Sequence, residues 1–125
     1  MKKRIESFAY AIKGIKVVFG HEPNMNIHLA ITSIVIGSGF LLGISLTEWM
    51  LCLICFGMVI GMEMMNSALE TAVNLASPEQ HPLAAKAKDV AAGAVLICAI
   101  IAAVIGLLIF TPKIWALIAD LQIFI

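Results

Sequence analysis

The sequence predicts an all-α integral membrane protein, with an N-terminal amphipathic interfacial helix followed by three transmembrane helices. Two observations carry the prediction. Hydrophobic residues make up 62% of the 125, with a mean hydropathy of +1.04 and only 13% charged residues, far from the balance of a soluble domain. The apolar residues also gather into three long runs divided by short polar junctions, each run near the ~20 residues that cross a bilayer core. The length allows one membrane domain, 1–125. Net charge is zero, so no basic surface recommends nucleic acid as a partner.

Residues 1–21 form the first element. Ile5, Phe8, Ile12, Ile15 and Phe19 recur at helical spacing, while Lys2, Lys3, Arg4, Glu6 and Lys13 lie elsewhere around the helix. A basic polar face with modest hydrophobicity suits a helix lying in the interface plane. A signal peptide is the rival reading, but Glu6, Lys13 and Lys16 interrupt any apolar core and no small-residue cleavage site follows. At the next junction Pro23 disfavours helical geometry at Glu22, so a break or tight turn is expected there. By residue type alone, Glu22 reads as a solvated turn carboxylate.

The first span, 29–46, contains no charge, and Gly39-x-x-x-Gly43 offers a small packing face. Ser45–Glu48 is expected to be a short hairpin, with Trp49 in the interfacial aromatic belt. The second span, 49–74, runs into a polar stripe. Ser77-Pro78-Glu79-Gln80 resembles a capping box that could open a short surface helix. The third span, 89–110, is expected to end at Thr111-Pro112, leaving 113–125 as an interfacial tail. Five of eight Lys/Arg precede the first span, two lie before the third and none lies in the first hairpin. The positive-inside rule therefore orients 1–28 and 75–89 to the cytoplasm.

The stripe is where chemistry is expected. Glu63, Asn66, Ser67, Glu70 and Asn74 stand at i, i+3, i+4, i+7 and i+11, which in a helix is one narrow face. By helix rise, Glu63 lies ~21 Å and Glu70 ~31 Å beyond Trp49, so Glu63 is inside the membrane and Glu70 is near its surface. With the orientation above, Glu22, Glu63, Glu70, Lys88 and Asp89 converge near the cytoplasmic face. A membrane carboxylate without a partner is costly, so Glu63 and Glu70 argue for function. Asn66 divides between function and structure, and Ser67, like Asn74, reads as a bond across helices in an oligomer.

Other candidates read as packing. Cys52 and Cys55 form a C-x-x-C with no βαβ context, and the Met residues of the second span lack His or Cys on the same face. His21, His28 and His81 sit in polar junctions without metal-ligand spacing, so surface or hydrogen-bonding roles are the default for them. There is no G-x-x-x-x-G-K-[ST] phosphate loop. A small proton-coupled transporter would carry a lone mid-span carboxylate without Glu22 and Lys88-Asp89 nearby. A non-catalytic membrane assembly protein would tolerate Glu→Gln.

The motifs Phe8-x-x-Ala11-x-x-Gly14, Glu22-Pro23-Asn24, Glu63-x-x-Asn66-Ser67-Ala68-x-Glu70 and Ala87-Lys88-Asp89 resemble the prokaryotic diacylglycerol kinase / undecaprenol kinase family, across roughly residues 3–110. Asn74 departs from the pattern, which commonly has an acidic residue there. The resemblance implies a homotrimer in the bacterial inner membrane, with composite sites, MgATP as donor and a membrane lipid alcohol as acceptor. It implies Glu63 as general base and Asn66 as a second catalytic residue. Lys88, Asp89, Glu22, Glu70, Tyr10 and Lys3 fall to the nucleotide, with Glu22 and Glu70 holding Mg²⁺. Ile27-His28-Leu29 after the Glu-Pro-Asn junction resembles undecaprenol-type members more than the diacylglycerol enzyme.

Overall fold

A computed structural model describes residues 1–125 as four helices: α1 Lys2–Val18, α2 Pro23–Leu42, α3 Leu46–Ala76 and α4 Pro82–Ile123. The last three are long and apolar enough to span a membrane. Only 11 of 125 residues are buried in the chain itself. So much uncovered apolar surface cannot stand in water, and lipid or protein must cover it.

The breaks follow local chemistry. Pro23 occupies the first position of α2, and Glu22 before it is extended at φ −100°, ψ 129°, the geometry a following proline imposes. α2 stops at Gly43, in the left-handed region with φ 62°, where Ile44 N–H donates to the Gly39 carbonyl at 3.1 Å. That is a glycine C-cap. The two glycines of the expected packing face thus divide their work. Gly43 turns the chain, whereas Gly39 admits the Trp49 ring, whose nearest atom would stand 2.7 Å from an added Cβ.

The expected hairpin at Ser45–Glu48 is shorter than the sequence suggested. Ser45 caps α3: its hydroxyl accepts from Glu48 N–H at 3.2 Å, and the Glu48 carboxylate accepts from Ser45 N–H at 2.9 Å. The capping box therefore lies here and not at Ser77-Gln80. Instead, α4 begins at Pro82, with the His81 ring accepting from Leu83 N–H at 3.1 Å. Had a helix begun at Pro78, Pro82 would have stood in its second turn, without an N–H and with its ring against the preceding turn.

Thr111-Pro112 does not end the helix that carries the expected third span. Helix continues through Pro112 to Ile123, and residues 113–123 of the expected tail are part of α4. Proline removes one backbone bond, whereas unwinding everything beyond it would strip many backbone groups of partners in an apolar medium. Lys113 Nζ also lies 3.1 Å from the Glu48 carboxylate, tying this segment to the start of α3. Beside that tie, Ile44, Cys52 and Ile109 form the core, with Trp49, Phe56 and Phe110 packed on it. Cys52 is thus a small apolar core residue, as expected, and all three cysteines are free.

α3 and α4 form the most extensive pairing, and α1 touches mainly α3. Ile5, Phe8 and Ile12 on α1 are more than half exposed, so no part of this chain covers these side chains.

Candidate functional site

α3 carries the five stripe residues on one continuous helix, and the structure divides them by depth. Glu63, Asn66 and Ser67 are buried, Glu63 to 2% exposure, whereas Glu70 and Asn74 are exposed. The division follows from what α2 covers. α2 runs antiparallel to this part of α3, and two cross-helix contacts fix the register.

The first contact joins Glu22 to Ser67. Glu22 is the N-cap residue of α2, yet its side chain does not cap the helix. Its carboxylate instead accepts a hydrogen bond from the Ser67 hydroxyl. The second contact lies deeper, where His28 Nε2 stands 3.5 Å from Glu63 Oε2. Six residues separate Glu22 from His28 along α2, a rise of ~9 Å. The site thus holds two carboxylates at different depths, each approached by one side chain of the facing helix.

Between these contacts the Asn66 side-chain oxygen is buried with no hydrogen-bond partner. An unsatisfied buried amide oxygen costs on the order of 1–3 kcal/mol, so it is held ready for a donor that this chain alone does not supply. Further along the same face of α3, Lys88 of α4 donates to the Asn74 side-chain oxygen. Lys88 is half-buried, and Asp89 is exposed beside it. A polar hollow of 560 Å³ opens here, bounded by Asn74, Ser77, Glu79, Gln80, His81 and Lys88 among others.

The expected residues are thus brought together unequally. Glu22, Glu63, Asn66 and Lys88 are tied to α3 or lie on it, with Ser67 and Asn74 as contacts. Glu70 stands on the same helix face as Ser67, three residues on, without a hydrogen bond or ion pair of its own. Lys3 and Tyr10 lie exposed on α1, and neither forms an ion pair or hydrogen bond with the stripe.

No group of three or more His, Cys, Asp or Glu side chains clusters closely enough to hold a metal by itself. The donor set nonetheless fits Mg²⁺, which usually takes one or two carboxylates and completes its octahedron with phosphate oxygens and water. Glu22 and Glu70 are two such carboxylates on one side of α3, Glu22 being held there by Ser67.

The residue types pointed to a surface or hydrogen-bonding role for His28 and to bonds across helices for Ser67 and Asn74. The structure adds their partners, Glu63, Glu22 and Lys88, which depend on the register of α2 and α4 against α3.

A family model described as prokaryotic diacylglycerol kinase matches residues 9–110. Over 113 residues the chain is 41% identical to the undecaprenol kinase of Bacillus subtilis (strain 168), covering 90% of this chain and 92% of that one. It is 35% identical over 112 residues to the diacylglycerol kinase of Synechocystis, covering 89% of this chain and 64% of that longer one. It is also 32% identical over 108 residues to the diacylglycerol kinase of Haemophilus influenzae, with 85% and 92% covered.

Proposed function

This chain belongs to the prokaryotic diacylglycerol kinase family, and from that premise we propose that it phosphorylates the hydroxyl of a membrane lipid alcohol with ATP. Undecaprenol is the acceptor we favour. The 41% identity to a protein of that activity and the Ile27-His28-Leu29 junction both support the choice over diacylglycerol.

One observation carries the mechanism: a carboxylate buried in the membrane part of α3, with a second, exposed carboxylate seven residues nearer the helix end. A nucleotide polyphosphate is confined to the polar surface, whereas a lipid hydroxyl reaches into the bilayer. Glu63 is the general base. It accepts the hydroxyl proton as the hydroxyl oxygen bonds to the γ-phosphorus and the bond from γ-phosphorus to the bridging oxygen breaks, releasing ADP. Asn66 offers its free side-chain oxygen to a donor of the incoming substrates. Glu22 and Glu70 would hold Mg²⁺, which when bound would supply charge neutralisation to the phosphates. Lys88 supplies a point charge to the phosphates, and Asp89, Tyr10 and Lys3 complete the nucleotide side.

The working form is a homotrimer in the bacterial inner membrane. Apolar surface left uncovered on all four helices and a lysine engaged only by Asn74 support sites completed between copies. α1 lies on the cytoplasmic surface with its basic residues toward anionic headgroups, and the excess of Lys/Arg at 1–28 and 75–89 supports that orientation.

The test is phosphate transfer from ATP by the purified protein, measured side by side on undecaprenol and diacylglycerol. Faster turnover of undecaprenol supports the reading. Preference for diacylglycerol removes the acceptor assignment, and transfer to neither removes the activity.

A further inference from the structure

Glu63 is almost fully enclosed, yet the only ionisable side chain within ion-pair distance is His28. Neither Lys nor Arg approaches it. An ionised carboxylate in an apolar setting requires a partner to offset its lost hydration, and here that partner is an imidazole whose Nε2 stands 3.5 Å from Oε2. That distance is longer than an N–H···O bond, a looseness common around catalytic groups before the reacting complex forms.

His28 has a second neighbourhood. It lines, with Thr32, a mainly apolar cavity of 210 Å³ between α2, α3 and α4, whose walls include Val35, Phe56 and Ala102. A cavity of about 150 Å³ lined by apolar side chains already accepts a small hydrocarbon. His28 thus stands where a hydrocarbon compartment meets the buried carboxylate.

We propose that His28 is a positioning residue for Glu63. Its Nε2–H engages Oε2 and fixes the carboxylate, so that the other oxygen is turned to the hydroxyl of the acceptor. The proposal rests on the reading of Glu63 as general base. Two features distinguish it from a packing role. The contact is made through a ring nitrogen and not a ring face, and it falls on the buried one of the two stripe carboxylates. Ser67 serves Glu22 in the same register one step nearer the surface.

The experiment is a double-mutant cycle on the purified full-length protein, with kcat and KM measured for ATP and for undecaprenol. The variants are His28→Phe, His28→Gln, Glu63→Gln and the His28→Phe/Glu63→Gln double. Glutamine carries an amide nitrogen near the position of Nε2, so it restores the donor without the ring. Loss of an orienting partner commonly lowers activity ~10–100-fold. We expect His28→Phe to lower kcat within that range with KM for ATP unchanged. His28→Gln should recover most of the loss, and His28→Phe should add little once Glu63 is already Gln. Should the phenylalanine variant fail to fold, His28→Asn, whose amide is too short to reach, replaces it in the cycle. Equal losses from His28→Phe in both backgrounds, or a rise in acceptor KM with kcat intact, would overturn the positioning role while leaving Glu63 as base. Near-normal turnover of Glu63→Gln alone would overturn the base itself, and the positioning role with it.

Discussion

The two ends of the helix bundle are built on opposite principles. At the α2–α3 turn, side chains are matched in shape and fully partnered. Gly39 receives Trp49, the Phe40 and Trp49 rings lie 4.9 Å apart, Ser45 and Glu48 cap each other, and Lys113 meets Glu48. At the end holding Glu22, Glu63 and Lys88, carboxylates are buried or exposed with few partners and an amide oxygen has none. One end contributes stability. The other carries polar groups that this chain alone leaves without partners, which is the usual mark of a functional region.

If that contrast is right, substitutions at the two ends should move different observables. A large effect on turnover is expected at Glu22 and Glu70. Changing either to Gln should lower turnover by ~10²–10³-fold, the range for losing one electrostatic contact to a transition state. The loss should be steepest at limiting Mg²⁺, with the midpoint of unfolding in detergent little altered. Normal turnover at limiting Mg²⁺ in either variant would remove that residue from the ligand set.

A different outcome is expected at the opposite end. Gly39→Ala drives a methyl group against the Trp49 ring, whose atoms lie 2.7 and 2.9 Å from the new Cβ. Overpacking of this kind costs about 1–3 kcal/mol, so the unfolding midpoint should fall while kcat per folded molecule persists. A fall in kcat without a fall in stability would mean that this end also takes part in turnover. The smallest effect belongs to Lys113→Met, which breaks a partly exposed ion pair worth ~0.2–1 kcal/mol. A shift much larger than that in the unfolding midpoint would show the pair to be a main support of the helix beyond Pro112.

The same contrast explains what could be read from the chain. Three spans, the break at Pro23 and the polar stripe on α3 were all legible, because hydropathy, proline and a 3.6-residue period act locally. The helix limits were less so. Pro82 overrode the capping signal at Ser77, and an apolar medium carried α4 through Pro112, where a soluble helix would often stop. Pairings between helices were legible only as a zone. Glu22, Glu63 and Lys88 could be set near one another, but Ser67, His28 and Asn74 as their contacts depend on the register of α2 and α4 against α3. No single-helix pattern fixes that register.

The central claim is that depth along α3 separates base from nucleotide site. It is tested most directly by measuring ATP affinity and lipid phosphorylation rate on the same preparation of Glu63→Gln. The substitution keeps size and hydrogen-bonding capacity and removes basicity. Binding of MgATP should match the unmodified protein, while turnover falls by the ~10²–10⁴-fold typical of a lost general base. Near-normal turnover, or a loss of nucleotide binding as severe as that of Glu70→Gln, would contradict the division by depth.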